Sequence, residues 1–408
     1  MRVLEASNQK DLKSIMQDIK VDPYGIKIMV PKAITHLVRI NSVSNIAANI
    51  LKQEMLSLGG DVAIARHALT GKSKKTDCLV MGNLTQLIRL NDKLNRQPFG
   101  LSNLAKDLSQ TLTNYQKNNF ILNLGKYKLN LNLRTFIVGI VNLTPDSFSG
   151  DGLYRVSGIA LPAGRQGYRV SNVVDFVEKM VDDGADIVDI GGESSRPGAK
   201  VVPVKEERKR VIPVIKALAK KIKVPISIDT YKPEVARQAL DNGAAIVNDI
   251  TGLRNLKMAK LVARYNAGVV IMHMKGNPRT MQINPKYESL IDEIIEFLDK
   301  AIKRAQEIGV DKEKIIVDPG IGFGKALEHN LEILKRLNEF KVLGMPILVG
   351  PSRKSFIGKI LNVQAQGRLF GTLSACVLAV KNGAKIVRVH DVKEIKQALK
   401  VLDKIEHI

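Results

Sequence analysis

Eight short runs of apolar, largely β-branched residues constrain the fold of this chain more than any other feature. They alternate with longer segments in which apolar residues have helical spacing, such as 173–183, 205–221, 233–242, 288–308 and 327–337. The runs occupy residues 136–141, 186–190, 224–228, 244–247, 268–272, 314–317, 346–349 and 385–389. Because continuous hydrophobicity suits strands covered on both faces, we predict parallel strands joined by crossover helices. Eight such units favour an α/β fold of the (β/α)₈ TIM-barrel type, with a doubly wound open sheet as the alternative.

Polar or charged residues stand at or just beyond the end of each predicted strand. They are Asn142, Asp189, Glu193, Asp229, Asn248, Asp249, His273, Asp318, Ser352, Arg353, Lys354, Arg388 and His390. The carboxyl ends of the strands in a parallel barrel meet at one face, where barrel enzymes hold their catalytic groups. A single strand-end Asp is commonly the N-cap of the next helix, but capping does not explain eight polar strand ends together. We therefore expect a polar site at this face.

The acceptors in this set suit a flat, polar heterocycle. Asp229, Asp318 and Asn248 offer two carboxylates and an amide, which match the donor-rich edge of a guanine-like ring. Ser352 stands where it would cap the helix that begins SRKSFIGKIL. The predicted ligand is a planar ring held along its edge by paired hydrogen bonds.

The donors in this set suit a phosphate or a pyrophosphate. Arg196, Arg388 and His390 can donate hydrogen bonds to phosphoryl oxygens. Asn142 can place an oxygen on a hard cation such as Mg²⁺, which commonly accompanies pyrophosphate and keeps several of its waters. The sequence thus predicts an anion, with its metal, beside the heterocycle.

The composition limits the other classes of function. The net charge of +23 is spread along the chain, and the absence of Trp, with 4% aromatic residues, leaves few platforms for stacking bases. We interpret the charge as a diffuse basic surface; its functional alternative is attraction of small anionic substrates. No apolar run is long enough to span a bilayer, and Cys78 and Cys376 provide no disulfide framework. We expect a cytoplasmic protein that binds neither nucleic acid nor membrane.

Eight motifs in the second part of the chain resemble those of the dihydropteroate synthase family. In order they are NLTPDSFSGDG, DIVDIGGESSRPGA, ISIDTYKPEVARQAL, VNDITG, MHMKGNPRTMQ, DPGIGFGK, GPSRKSFIG and RVHDV. The resemblance covers residues 134–408. It implies a (β/α)₈ barrel and a transferase of folate biosynthesis, which condenses 6-hydroxymethyl-7,8-dihydropterin pyrophosphate with 4-aminobenzoate. The products would be 7,8-dihydropteroate and pyrophosphate. A homodimer is a possible assembly of such a protein.

The same resemblance implies a role for each matched residue. For Mg²⁺ and pyrophosphate it implies Asn142, with Arg388 and His390 on the phosphates and Arg196 assisting. For the pterin it implies Asp229, Asn248, Asp318 and Lys354. For the aminobenzoate side it implies Ser195, Pro197, Phe323 and Ser355. Asp189 would stabilise the positive charge that develops on the pterin, because pyrophosphate is thought to leave before the amine attacks. The residues that it implies as catalytic are Asp189, Asp229, Lys354, Arg388 and His390.

One segment departs from the family pattern. The repeat YRVS occurs at residues 154–157 and again at 168–171, and it encloses GIALPAGRQG. We interpret residues 154–167 as an insertion in the first strand–helix loop, and we expect it to be a tolerated surface insertion.

The remaining residues predict a second, smaller domain. Residues 1–97 contain a helical pattern opened by Ser42 or Ser44, and two short strand-like runs, so we expect a small N-terminal α/β domain of unknown role. It is similar to the N-terminal extension of long dihydropteroate synthases. Residues 98–133 would form a linker and a hairpin, turning near Gly125, that closes the bottom of the barrel.

Two other function classes remain open from the sequence. A pterin-binding methyltransferase could share the barrel and its carboxylates, but it would have less use for the donors of SRKS and RVHD. A noncatalytic pterin-binding protein is the second alternative, and the complete polar set argues against it.

Overall fold

The computed structural model describes residues 1–4, 9–70, 74–144, 170–194 and 199–406. Its contacts divide the chain into two compact units, Met1–Thr113 and Asn114–Ile408. The predicted insertion at 154–167 and the predicted site residues Ser195, Arg196 and Pro197 lie outside the described residues. Among the helices that are described, none is both long enough and apolar enough to cross a membrane.

The first unit is a small α/β domain. Its elements are α1 (Gln9–Asp18), α2 (Pro23–Met29), β1 (Thr35–Ser44), α3 (Asn45–Leu56), β2 (Asp61–Ile64), α4 (His67–Thr70), β3 (Lys75–Asn83), α5 (Leu84–Leu94) and the first part of α6 (Leu101–Gln116). The strands form an antiparallel sheet in the order β1–β3–β2. Ser44 is the N-cap of α3, because its hydroxyl accepts a hydrogen bond from the Ala47 N–H. The core of this unit consists of apolar residues from the sheet and the helices, such as Leu51, Met55, Val80 and Leu90.

The division between the two units falls inside α6, whereas the sequence suggested residue 97. The difference arises because Leu101, Ala105 and Leu108 on the first turns of α6 are buried in the core of the first unit. Apolar residues at helical spacing fix this part of α6 to that core. The residues from 98 to 113 therefore belong to the small domain rather than to a linker.

The second unit is a parallel barrel. Its strands are β4 (Ile121–Leu124), β5 (Tyr127–Asn130), β6 (Phe136–Asn142), β7 (Ile187–Gly191), β8 (Ile226–Asp229), β9 (Ile246–Asp249), β10 (Gly268–Met272), β11 (Ile315–Asp318), β12 (Leu348–Val349) and β13 (Ile386–Val389). Its helices are α7 (Val170–Asp182), α8 (Val204–Lys221), α9 (Pro233–Asp241), α10 (Leu256–Tyr265), α11 (Leu290–Glu307), α12 (Leu327–Lys335), α13 (Ser355–Leu361), α14 (Leu369–Lys381) and α15 (Val392–Glu406). The strands from β6 to β13 form one eight-stranded sheet.

The order of this sheet is β11–β10–β9–β8–β7–β6–β13–β12, and neighbouring strands pair in parallel. A parallel bridge between Val317 and Ile347 joins the two edges. All eight strands lie within the predicted runs or extend one or two residues beyond them, so the barrel prediction is confirmed, and the open sheet is excluded.

The side chains of the barrel strands alternate between two environments, as the period of two in a strand requires. On β7 and β13, Val188 and Val387 belong to the core between the barrel and its helices. Ile187 and Ile386, which precede them, belong to a separate apolar cluster inside the barrel. The same alternation turns the strand-end polar residues inward, above this apolar layer.

A hairpin of β4 and β5 completes the apolar layer at the amino-terminal ends of the strands. The two strands pair antiparallel around a turn at Gly125, whose φ of 64° suits glycine. Leu122, Leu124 and Leu131 are buried in the same cluster as the inward residues of the barrel strands. Leu133 lies beyond the hairpin, because β5 ends at Asn130. The hairpin thus separates the barrel interior from solvent at this end.

We expect Leu131→Ala to lower the free energy of unfolding of the barrel by about 2–5 kcal/mol, because it opens a cavity in this layer. Leu131 is 1% exposed, whereas Leu133, two residues away, is 69% exposed. Leu133→Ala is therefore the matched control, with an expected change within about 0.5 kcal/mol. Urea unfolding followed by circular dichroism measures both variants, and equal losses would contradict the burial of Leu131 as the cause.

Candidate active site

The strand register brings the predicted site residues to one height at the carboxyl ends of the barrel strands. Asn142 on β6 pairs with Gly191 on β7, and Gly191 pairs with Asp229 on β8. Asp229 pairs in turn with Asn248 on β9. Since neighbouring parallel strands align these positions, the polar side chains form a ring around the mouth of the barrel.

Arg388 on β13 connects two carboxylates across this mouth. Its Nε donates to Asp189 Oδ2 at 2.6 Å, and its Nη2 donates to Asp229 Oδ2 at 2.8 Å. Asn248 Nδ2 donates to the same Oδ2 of Asp189 at 3.0 Å. Asp189 is 1% exposed, and its Oδ1 has no hydrogen-bond partner among the described residues. The structure therefore brings four predicted residues into one network and leaves one buried carboxylate oxygen in it unpaired.

The environment of Asp229 moves the pKa of its carboxyl group close to neutral pH. Burial raises its pKa to about 7, while Arg388 opposes this shift and Asp189 adds to it by repulsion. Burial also acts on Arg388, but the adjacent carboxylates raise its pKa overall. The network can therefore take up or release a proton near neutral pH without losing its cation.

Asp318, Lys354 and Phe323 form a second group on the next part of the mouth. Burial raises the pKa of Asp318, and Lys354 opposes the shift. Burial lowers the pKa of Lys354 to about 8, and Asp318 opposes that shift. Lys354 Nζ lies 4.8 Å from the centroid of the Phe323 ring and donates to the Ile321 carbonyl. This group offers a carboxylate, a cation and an aromatic face within one small region.

An apolar floor accompanies the polar ring, and sequence reasoning did not identify it. Ile250, Met272, Met274 and Met281 form a buried cluster against which Tyr231 and Phe323 pack. Met side chains adapt to flat aromatic surfaces and make favourable sulfur contacts with them. These four residues lie on one strand and in two loops, a distribution that carries no sequence signal, so only the structure brings them together. The site thus combines polar edges with an apolar face, as a planar heterocycle requires.

A buried Lys–His pair lies beside the second group. Lys325 Nζ is 2.9 Å from His273 Nδ1 and donates to the Phe323 carbonyl at 3.0 Å. Burial lowers the pKa of His273 to about 2 and holds the pKa of Lys325 well below its usual value, although Asp318 opposes the latter shift. The sequence indicated His273 only as a strand-end residue and gave no role to Lys325. Together they attach the loop after β11 to the end of β10.

Three glycines make that attachment sterically possible. A Cβ at Gly320 would lie 1.9 Å from the His273 carbonyl oxygen, and one at Gly324 would lie 2.6 Å from the Lys275 carbonyl oxygen. A Cβ at Gly322 would lie 3.0 Å from Lys354 Cδ. All three have positive φ, between 64° and 81°. Each glycine therefore meets a different neighbour, and together they hold Phe323 over the site.

The structure corrects the expected role of Ser352. The helix α13 begins at Ser355 with Lys354 at its N-cap position, so Ser352 does not cap it. Instead, Ser352 Oγ lies 2.9 Å from His390 Nδ1 and accepts a hydrogen bond from the His390 N–H at 3.1 Å. Ser352 therefore orients His390. The two residues are 38 positions apart in the sequence, so sequence reasoning did not identify their contact.

Asp249 stabilises the turn after β9, in contrast to its neighbours, which face the mouth of the barrel. Its carboxylate accepts hydrogen bonds from the Thr251 N–H, the Thr251 hydroxyl and the Leu253 N–H, at 2.6–3.2 Å. The alternation along β9 points Asp249 away from Asn248, toward the outside of the barrel. Asp249 is thus a turn-forming residue and not a member of the ring.

A buried cluster fixes the two stems of the loop that follows β7. Glu193 accepts hydrogen bonds from the Val202 N–H at 2.9 Å and from the Tyr231 hydroxyl at 2.8 Å. Lys232 pairs with both Glu193 and Glu207 and donates to the Val202 carbonyl at 2.6 Å. Sequence reasoning noted Glu193 but not its partners. The cluster ties residues 193 and 202 to the end of β8.

Asn142 is the residue that the sequence predicts as a ligand of Mg²⁺. Among the described residues, no group of three or more His, Cys, Asp and Glu side chains could hold a metal ion. Asn142 presents an amide oxygen at the mouth, because a Cβ at Gly191 would lie 3.4 Å from its Oδ1. One amide oxygen fits Mg²⁺, which commonly takes few protein ligands and fills its shell with phosphate oxygens and water.

Comparison with known proteins places these residues in a family. Residues 138–390 match the model of the pterin binding enzyme family. The dihydropteroate synthase of Synechocystis sp. is 47% identical over 272 residues, which are 66% of this chain and 90% of that protein. A Yersinia pestis dihydropteroate synthase, solved with a sulfonamide drug complex, matches with a TM-score of 0.66 and 38% identity. This match covers 71% of this chain and 100% of that one.

A longer relative also covers the small N-terminal unit. The Halobacterium salinarum protein named probable bifunctional folylpolyglutamate synthase/dihydropteroate synthase is 38% identical over 402 residues. The match includes 96% of this chain but 46% of that protein. The small unit is therefore similar to a segment that precedes the barrel in this relative.

The raised pKa of Asp229 predicts a pH dependence of stability. The unfolded value is near 3.8 and the folded value is about 7, so the folded protein keeps a proton that the unfolded chain has released. The stability from this group is fully present below pH 4 and is lost as the pH rises through 7, with a loss on the order of 4 kcal/mol. Urea unfolding from pH 4 to 8 should show this loss, and Asp229→Asn should remove it. If the free energy of unfolding had the same pH dependence in the parent and in Asp229→Asn, the raised pKa of Asp229 would be contradicted.

Proposed function

Because the chain belongs to the dihydropteroate synthase family of pterin-binding enzymes, we propose that its strand-end residues divide that family's reaction between adjacent subsites. The motif resemblance is confirmed, and the chain is a transferase of folate biosynthesis. It joins 6-hydroxymethyl-7,8-dihydropterin pyrophosphate to 4-aminobenzoate and releases 7,8-dihydropteroate and pyrophosphate. The roles of individual residues below are our proposal, and the Arg388 network carries it.

The pterin ring is assigned to the carboxylates and the apolar floor. Asp318, Asp229 and Asn248 supply acceptors and an amide for the edge of the ring, and Lys354 supplies a donor. The face of the ring lies on the cluster that includes Met274 and Ile250. Burial of Asp318 at 5% exposure supports this assignment, because a buried carboxylate hydrogen-bonds strongly to a ring that displaces water from it.

The pyrophosphate is assigned to Arg388, His390 and Asn142. Arg388 uses two of its five N–H donors on Asp189 and Asp229, which leaves three for phosphate oxygens. Ser352 Oγ contacts His390 Nδ1 and thereby orients the imidazole that is assigned to the anion. Asn142 would hold Mg²⁺, which when bound neutralises charge on the leaving pyrophosphate.

Asp189 is assigned to the charge that develops on the pterin. Its Oδ2 is held by Arg388 and Asn248, while its buried Oδ1 is unpaired in the described residues. A fixed negative oxygen in a site of low dielectric constant stabilises an adjacent cation without reorganisation. The C–O bond to pyrophosphate breaks, its electron pair leaves with the anion, and the amine of aminobenzoate forms the new C–N bond and releases one proton to water.

The aminobenzoate side is assigned to Phe323 and Ser355, with Ser195 and Pro197 as predicted partners, while Arg196 stays a predicted donor to the phosphates. Phe323 offers its ring to the aromatic substrate, and Ser355 is an exposed hydroxyl at the first turn of α13. The homodimer stays a prediction.

A pyrophosphate-release assay tests the function and its metal together. Purified protein with both substrates and Mg²⁺ should release pyrophosphate, and omission of 4-aminobenzoate should reduce that release strongly. Chelation with EDTA should abolish turnover, and Mg²⁺ should restore it. Asn142→Ala should require at least about tenfold more Mg²⁺ for half-maximal rate, as loss of one ligand implies. Turnover that is indifferent to both EDTA and Asn142→Ala would refute the metal assignment but not the function.

Asp318→Asn should weaken binding of the pterin pyrophosphate by about 1.5–3 kcal/mol, because it replaces a charged acceptor of hydrogen bonds. Isothermal titration calorimetry with the pterin substrate measures the effect. Inorganic pyrophosphate is the matched control, since its affinity should change little. An unchanged pterin affinity would refute the assignment, and equal losses for both ligands would indicate a general effect on the mouth of the barrel.

A further inference from the structure

The second unit contains a cavity at the end of the barrel opposite the candidate active site. Its volume is about 160 Å³. It lies beside the starts of β6, β12 and β13, where Thr135, Ile347 and Lys385 line it. Arg388 and His390 belong to the other end of β13 and do not line it. None of the proposed catalytic residues therefore lines this cavity.

The walls of the cavity combine apolar residues with four cations. Phe120, Leu131, Met345 and Ile347 supply buried apolar surface. The cations that line the cavity are Lys117, Arg134, Lys341 and Lys385. Two carboxylates, Asp403 and Glu406, line it as well. Cations thus outnumber carboxylates in the lining.

The carboxylates and Arg134 already have partners. Arg134 forms an ion pair with Asp186, and Glu406 forms one with Lys381 at 2.6 Å. Asp403 accepts hydrogen bonds from the Thr135 hydroxyl at 2.8 Å and from the Thr135 N–H at 3.1 Å. Both carboxylates in the cavity lining, Asp403 and Glu406, are therefore already bound to groups other than the three lysines.

The three lysines have no such counter-ion. None of them belongs to an ion pair within the part of the chain that the structure describes. Lys117 Nζ donates to the Gly344 carbonyl at 3.3 Å and lies 5.0 Å from the Phe120 ring centroid. Lys341 Nζ lies 4.8 Å from the ring centroid of Tyr115. The contacts of Lys117 and Lys341 are with a carbonyl and with aromatic rings, so no carboxylate in direct contact balances these two charges.

Burial makes this imbalance costly, and it lowers the pKa of all three lysines. Lys385 lowers the pKa of Lys341 further, and Lys312 does the same to Lys117. Asp403 and Glu313 act in the opposite direction on Lys385 and Lys117, respectively. A bound anion would supply the missing counter-charge and would stabilise the ammonium forms.

We propose that this cavity binds one small tetrahedral oxyanion of the sulfate and phosphate class, held by Lys117, Lys341 and Lys385. The volume exceeds the liquid share of several water molecules, about 30 Å³ each, and so accommodates such an ion. Lysine binds oxyanions as a point charge, without the planar geometry that arginine imposes. Asn132 adds a side-chain amide to the lining, and its carbonyl oxygen accepts from the Phe120 N–H at 2.8 Å.

Sulfate is the preferred probe, because its charge does not change between pH 7 and pH 10. Calorimetric titration at constant ionic strength should detect one sulfate per chain that the double variant Lys341→Met/Lys385→Met binds at least tenfold more weakly. Lys300→Met, which removes one exposed lysine on α11, is the control for a general loss of positive charge and should bind sulfate as the parent does. Turnover should remain at the parental level in both variants.

Two further measurements keep the proposal falsifiable if the double variant does not fold. Lys385→Arg keeps the charge and should retain the site. In the unmodified protein, sulfate affinity should fall between pH 7 and pH 10, because the lysines lose their protons below the usual lysine pKa. Equal sulfate binding by the double variant, an equal loss in Lys300→Met, or an affinity independent of pH would each overturn the proposal.

Discussion

The connection that Arg388 makes between Asp189 and Asp229 is the interaction on which the mouth of the barrel depends. Two carboxylates and one guanidinium share a region with little access to water, where an unpaired charge is strongly unfavourable. The cation sits on β13 and the carboxylates sit on β7 and β8, so the network crosses the opening and does not follow neighbouring strands. A substrate that binds here enters a set of charges that is already nearly balanced.

That balance explains how one site can handle two opposite charges. The departing group of the reaction is an anion, and the remaining pterin carries positive charge. In the assignment proposed above, Arg388 serves the anion and Asp189 serves the pterin, and the hydrogen bond between the two side chains keeps both in place before substrate arrives. Preorganisation of this kind removes the cost of reorienting dipoles during the reaction. The apolar floor beneath, with Met272 and Met274, limits the water that would screen these charges.

The sequence predicts much of the fold because the barrel repeats a simple local pattern. Each strand is a continuous apolar run that ends in a polar residue, and the alternation along β7 or β8 then decides that Asp189 and Asp229 face inward. The contacts of Ser352 with His390 and of Lys325 with His273 were not predictable in this way. They join residues from different strand–helix units, and their geometry depends on loop conformations that leave no periodic signal. The division inside α6 was missed for a related reason, since amphipathic spacing shows that a helix is buried but not against which core.

The three glycines of the loop after β11 have a consequence for how this sequence can change over evolutionary time. Each is constrained by a different partner: Gly320 by the backbone of His273, Gly324 by the backbone of Lys275, and Gly322 by the side chain of Lys354. Backbone partners cannot be exchanged by substitution, so no second mutation readily compensates for a side chain at Gly320 or Gly324. At Gly322 the partner is a flexible side chain that can move aside. The loop should therefore vary at Gly322 only through residues such as Asn, which tolerate its positive φ of 81°, whereas drift at the other two positions should require a new path for the whole segment.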